Sequence, residues 1–266
     1  MQSIAARQRM LILAVLVPAS LLAWVVMALG STGGARSDVL LICSADFIWS
    51  VPSWDKLAFV LAFASPLMIA FGWAAMIVAM MLPTVIDQLA HISQRSFKRT
   101  GSWCLMLFVG GYCAIWMVAG LILIAAALII RLSMSDAMAP ACLAAMVGLT
   151  WQLSPWKQAA LNQCHRRSSL AAFPPDVYRD AIVAGIQHGF WCCVSCWALM
   201  LLALLLPWHG TLTTFIVAIF IWAERLEPAR EPAWRLRSPK RACRMGAWHV
   251  AGVAKFLLCR GGELAE

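Results

Sequence analysis

The chain has 266 residues, of which 62% are hydrophobic and only 12% are charged. A soluble domain usually carries about 25% charged residues, so this composition excludes an ordinary soluble protein and predicts a polytopic membrane protein. The net charge of +9 does not indicate a nucleic-acid partner, because basic loops on one membrane face produce the same total.

Apolar runs long enough to cross a hydrocarbon core of ~30 Å predict the architecture. In chain order, six runs are expected to form transmembrane helices: 10–30, 57–82, 103–130, 137–153, 181–206 and 211–226. The first run follows Arg7 and Arg9, but it is long for a signal peptide and lacks a clear small-residue cleavage site. It is therefore interpreted as an uncleaved helix. A seventh run, 242–259, either spans the membrane or lies on its surface.

The distribution of basic residues predicts the orientation of these helices. With the N-terminus in the cytoplasm, fifteen of the 21 Lys and Arg residues fall in inner segments and four in outer segments. Because Lys and Arg concentrate in cytoplasmic loops, we expect an all-α transmembrane helix bundle of six or seven spans with a cytoplasmic N-terminus. The basic stretch 225–241 is interpreted as a topology anchor facing anionic lipid.

A histidine and three cysteines share barely two turns of the fifth predicted span. At 3.6 residues per turn, His188, Cys192 and Cys196 lie along one stripe of that helix. Ionisable groups inside a bilayer are costly and mark candidate functional sites, and imidazole and thiolate ligands together suit zinc or copper. These three residues are therefore predicted as the core ligands of a metal site, although a single buried Cys more often serves as packing.

Further soft ligands are predicted on the same, cytoplasmic half of the bundle. Met76 and Met80 lie one turn apart in the second span, and Cys164 follows the fourth span. Thioether, thiolate and imidazole groups favour Cu(I) over hard cations. These three residues are predicted as supplementary ligands, although Met at helical spacing also fills gaps between helices.

Two other functions stay open. Cys193 and Cys196 form a C-x-x-C, which suits a membrane thiol–disulfide oxidoreductase, although thiols at i and i+3 of a regular helix need adjusted geometry to form a disulfide. The polar stripe also suits a structural or assembly subunit that packs against another membrane protein. Enzymes with polar signatures are not expected, because the chain lacks a Gly-rich phosphate loop, an H-E-x-x-H and a Ser/His/Asp set.

Three sequence blocks also carry a family resemblance: WAAMIVAMMLP at 73–83, WQLSPWK at 151–157 with Cys164, and 185–200 with its His-Gly and Cys-Trp pairs. They resemble the DUF2182 family of bacterial integral membrane proteins, described as predicted metal-binding, over residues 55–228. On this resemblance, the characteristic positions of the family correspond to Met76, Met80, Met81, Pro83, Gln152, Pro155, Lys157, Cys164, His188, Gly189, Cys192, Cys196, Trp197 and Glu224. The family usually has two further cysteines, where this chain has Ala160 and Ser195.

These observations predict three regions: an N-terminal helix and outer loop at 1–56, a DUF2182-like helical core at 57–228, and a basic C-terminal region at 229–266. The preferred interpretation is a multi-pass protein of the bacterial inner membrane that binds a copper or zinc ion for metal handling or delivery. Its expected partners are membrane lipid and another membrane protein or complex, with no nucleic acid.

Overall fold

The computed structural model describes residues 2–32, 53–55, 66–97, 100–134, 136, 138–171, 173–206, 210–236, 239–241 and 243–244. Within these residues the chain forms eight α-helices and no strand, which confirms the all-α prediction. In chain order they are α1 (Gln2–Thr32), α2 (Pro66–Met80), α3 (Ile86–Arg95), α4 (Gly101–Ser133), α5 (Ala139–Leu153), α6 (Pro155–Cys164), α7 (Asp176–Leu205) and α8 (Gly210–Arg225). A short 3-10 helix, Leu82–Val85, joins α2 to α3.

Three of the described helices are long and apolar enough to cross a membrane, namely Ala6–Leu29 within α1, α4 and α7. Helix α2 and the segment Leu82–Arg95 meet at a bend of 48° and add a fourth crossing if the pair counts as one span. Helices α5 and α8 have 15 and 16 residues. They confirm the predicted helices, but that each crosses the membrane stays a prediction. The total of six or seven spans and the orientation also stay predictions. Residues 245–259 of the seventh run lie outside the described residues.

The boundary between α5 and α6 follows from the sequence Ser154-Pro155. A proline disfavours helical geometry in the residue before it, and Ser154 is accordingly extended, with φ −69° and ψ 145°. Its hydroxyl accepts a hydrogen bond from the Lys157 amide at 3.2 Å, which is the usual capping interaction at a helix start. The turn places Lys157 in the first turn of α6, where its side chain is fully buried.

Helices α4 and α7 form the most extensive helix pair of the described residues. They approach closely because Gly185 carries no side chain: a Cβ at this position would collide with the Phe108 carbonyl oxygen. One turn further along α7, the ring of His188 lies beside the rings of Phe108 and Tyr112. The close contact therefore sets the position of the predicted metal-ligand stripe against α4.

Two tryptophan side chains hold α2 between its neighbours. The indole of Trp73 donates to the Trp116 carbonyl of α4 at 2.8 Å. The indole of Trp222 in α8 donates to the Met80 carbonyl at 2.6 Å. Because Trp222 lies three residues before the end of α8, this bond places that end beside α2.

Candidate metal centre

A cluster of polar side chains lies where the C-terminal ends of α6 and α8 meet the middle of α7. Its central residue is Cys192, whose side chain is fully buried. The Cys192 sulfur accepts a hydrogen bond from the Arg225 guanidinium at 2.9 Å and lies 3.2 Å from the Tyr112 hydroxyl. A guanidinium can only donate, so the sulfur acts as an acceptor in the contact with Arg225.

A second cysteine lies near the same guanidinium on another helix. Cys164 is the last residue of α6 and is buried. It lines the same cavity as Arg225 and His188. Burial raises the pKa of the Cys164 thiol to about 11, and the charge of Arg225 partly opposes that rise. Arg225 therefore lies beside cysteines from two helices that are distant in the sequence.

Among the predicted ligands, His188 has a buried ring nitrogen that lacks a hydrogen-bond partner among the described residues. The side chain is 7% exposed, and its ring centroid lies 6.0 Å from that of Phe108 and 5.9 Å from that of Tyr112. Its Nε2 atom is buried and has no hydrogen-bond partner among the described residues. Buried polar atoms nearly always have a partner, so this nitrogen suits a ligand to a bound ion.

The remaining predicted ligands make other contacts. The Cys196 thiol donates to the Cys192 carbonyl of its own helix at 2.9 Å. Met76 and Met80 are fully or almost fully buried, and the hydrogen bond found at Met80 uses its carbonyl. The thioether ligands therefore stay a prediction. Cys193 and Cys196 are both free thiols, and the thiol–disulfide alternative likewise stays untested.

Within the described part of the chain, no group of three or more His, Cys, Asp and Glu side chains is close enough to hold a metal ion. The described thiols nearest the Arg225 guanidinium are instead those of Cys192, which accepts its hydrogen bond, and Cys164, which lines the same cavity. Thiolate ligands favour soft ions such as Cu(I). The donors therefore suit Cu(I) bound by a small number of soft ligands better than an ion in a closed tetrahedral site.

A buried ion pair supports the end of α8. The ammonium of Lys157 donates to both carboxylate oxygens of Glu224, at 2.8 and 2.6 Å. The side-chain amide of Gln152 adds a third hydrogen bond to Glu224 at 3.2 Å. Because Glu224 immediately precedes Arg225, the pair fixes the last turn of α8 at the point where the guanidinium reaches Cys192.

Sequence reasoning missed the contacts that assemble this cluster. The charge pattern places Arg225 in the basic stretch 225–241, interpreted as a topology anchor. In the structure its guanidinium donates to the Cys192 sulfur. The sequence signal for such a contact is the position of Arg225 next to Glu224 at the end of an apolar run. Gln152, Lys157 and Glu224 were carried over by resemblance, without a prediction that they pair. Tyr112 gave a further signal, because it is one of only two tyrosines in the chain.

Comparison with known families supports copper as the metal. Residues 70–254 match the model of the PpoB2 family, which is described as copper chaperone. The match covers more than half of the chain and includes all six predicted ligands. It supports copper and lends no support to zinc, and it does not show the DUF2182 resemblance. No curated protein and no solved structure matches the chain.

Proposed function

We propose that this chain, which belongs to the PpoB2 family of copper chaperones, binds Cu(I) at Cys164 and Cys192 and delivers it to another membrane protein. The family assigns the chain a role in copper handling. The proposal adds the binding residues, the oxidation state and the delivery step. One observation carries it: the Arg225 guanidinium donates to the buried Cys192 sulfur at 2.9 Å and lines the same cavity as Cys164 and His188.

Copper is the cargo in this proposal, and the two thiolates are its principal ligands. The thiolate form of cysteine binds metals, so loading releases the protons that the thiols carry. In the metal-free protein, Arg225 supplies the positive charge beside the sulfurs. Cu(I) takes that place on binding, and the guanidinium turns into a neighbouring cavity that it lines together with Cys164 and His188.

His188 is the proposed third ligand, because its buried Nε2 lacks a partner among the described residues. Since no three His, Cys, Asp or Glu side chains of the described residues are close enough to hold an ion in the metal-free protein, copper loading must draw His188 and the two cysteines together. Cys196, Met76 and Met80 supplement the site in this proposal, as the sequence predicts. The two cysteines that the DUF2182 resemblance expects at Ala160 and Ser195 are not needed for a site of this kind. Ser195 contributes its hydroxyl to the cluster instead, where it accepts a hydrogen bond from Arg225 at 3.4 Å.

A location in the bacterial inner membrane is part of the same proposal. The apolar side chains of Leu11, Leu121 and Ile122 are 60%, 74% and 63% exposed on α1 and α4, which suits contact with lipid. Both helices are also long enough to cross a bilayer. Delivery to a membrane partner agrees with a buried site, because the copper is kept away from solvent until the partner docks.

Anaerobic Cu(I) titration of detergent-purified protein against a chromogenic chelator tests the proposal. We expect stoichiometric binding by the wild type and a loss of about tenfold or more in affinity, roughly 1.4 kcal/mol, for Cys164→Ser and for Cys192→Ser. The matched control is Cys193→Ser, which removes the neighbouring thiol of α7 and is expected to keep wild-type affinity. Equal affinity in all four proteins would overturn the assigned residues, and absence of Cu(I) binding by the wild type would overturn the function.

A further inference from the structure

A basic cavity of about 850 Å³ leads to the candidate metal centre. Cys164 and His188 line it, so a molecule in the cavity reaches the proposed ligands directly. The other charged and titratable side chains that line it are Arg9, Arg167, Arg225, Arg241, His165 and Asp87. Four guanidinium groups therefore face one carboxylate.

The positive charge is only partly compensated by contacts within the chain. Arg9 pairs with Asp87 at 3.2 Å, and both side chains are largely exposed. Arg225 contacts the sulfur of Cys192. Arg167 and Arg241 are exposed, and the Arg241 guanidinium donates to the Leu226 carbonyl at 3.5 Å. The rim thus presents cationic groups to whatever enters.

This charge distribution opposes the entry of copper as a bare cation. Clefts lined by one sign of charge raise the local concentration of oppositely charged ligands and accelerate their association by ~10- to 10³-fold. An anionic complex of copper is attracted to the same rim. The thiol of Cys164 in the cavity wall would then take the copper from that complex.

We propose that this cavity binds an anionic small molecule that carries Cu(I) on its own thiolate, a ligand class that includes glutathione. The inference rests on the proposed function, because it names the form in which copper arrives at the same site. The cavity volume lies within the ~300–1,000 Å³ common for small-molecule sites, which favours a small carrier over a folded protein at this position.

The transfer is a ligand exchange without a change in oxidation state. The bond between copper and one carrier thiolate breaks as copper bonds to the Cys164 sulfur, and the bond to a second carrier thiolate breaks as copper bonds to the Cys192 sulfur. Each proton released by a protein thiol is taken up by a departing carrier thiolate. Copper stays Cu(I) throughout.

Two copper donors with the same sulfur chemistry and different charge separate the cavity's role from metal binding itself. Cu(I)–glutathione carries carboxylates, whereas Cu(I)–β-mercaptoethanol carries none. We expect stopped-flow transfer to the wild type to be about tenfold faster from glutathione, with the advantage shrinking at high salt. The double variant Arg167→Gln/Arg241→Gln is expected to remove most of that advantage.

The control for total charge is Arg95→Gln/Arg179→Gln, which removes two exposed arginines that do not line this cavity. It is expected to keep the preference for glutathione. Cu(I) affinity measured with the acetonitrile complex should match the wild type in both double variants, which shows that the metal centre is intact.

Equal rates from the two donors, or an unchanged preference in Arg167→Gln/Arg241→Gln, would overturn the inference and leave the copper site standing. Failure of every donor to load the wild type would overturn the proposed function itself. The two failures are therefore distinguishable.

Discussion

The contact between α4 and α7 and the cluster at the ends of α6 and α8 hold α7 and its neighbours together in different ways. At Gly185 the two backbones meet because no side chain intervenes. At Lys157, Glu224 and Arg225 the contacts are directional hydrogen bonds between charged or sulfur-containing groups. An added side-chain atom at Gly185 would disrupt the first region, whereas loss of one hydrogen-bonding partner would disrupt the second.

This difference follows from what burial does to each kind of group. Adding atoms to a packed contact forces side chains and backbone to shift. Burying a charge removes it from water, which is costly unless an opposite charge and hydrogen bonds replace the solvent. The charged cluster is therefore expected to be the more sensitive of the two regions to a single substitution.

The largest expected effect comes from removing one member of the buried ion pair. Lys157→Met leaves the Glu224 carboxylate without its counter-charge, and breaking such a pair usually costs about 3–5 kcal/mol of stability. The free energy of unfolding in detergent, from denaturant titration, measures the loss. The double variant Lys157→Met/Glu224→Leu removes both charges and is expected to recover most of it. A single variant as stable as the wild type would contradict the assigned role of the pair.

A smaller loss is expected at the helix contact. Gly185→Ala places a Cβ against the Phe108 carbonyl, and overpacking of this kind costs about 1–3 kcal/mol. Thermal unfolding of the purified protein measures it. The matched control is Gly110→Ala on α4, where nothing lies within 4 Å of an added Cβ. Equal melting temperatures for the two variants would show that α4 and α7 are not held this closely.

The smallest expected effect is at the exposed ion pair. Arg9 and Asp87 are joined at 3.2 Å, but their side chains are 59% and 81% exposed. Exposed pairs contribute about 0–1 kcal/mol, so Arg9→Gln should change the free energy of unfolding far less than Lys157→Met. A loss comparable to that of Lys157→Met would mean that burial does not distinguish the two pairs.

Hydropathy and turn chemistry predict most of the described fold. The runs 103–130 and 181–206 correspond to α4 and α7, because long apolar stretches form helices whether or not their neighbours are known. Ser154-Pro155 ends α5 at Leu153, where the predicted run 137–153 also ends, for the local reason of proline geometry. The helices α3 and α6 were not predicted, because each has only ten residues and neither forms a long apolar run.

The candidate site was predictable only within one helix. The spacing of His188 and Cys192 places both on the stripe that faces Tyr112 of α4. Helical periodicity says nothing about residues on other helices, however, and Arg225 is 33 residues away from its partner Cys192. The side of the bundle on which Cys164 lies stays a prediction, and the guanidinium near it could be found only from the tertiary structure.

The most direct test of the copper site is X-ray absorption spectroscopy of the Cu(I)-loaded protein. The account predicts a first coordination shell dominated by sulfur in the wild type, with fewer sulfur neighbours in Cys192→Ser and an unchanged shell in Cys193→Ser. A shell of nitrogen and oxygen atoms alone in the wild type, or an identical sulfur shell in Cys192→Ser, would contradict it.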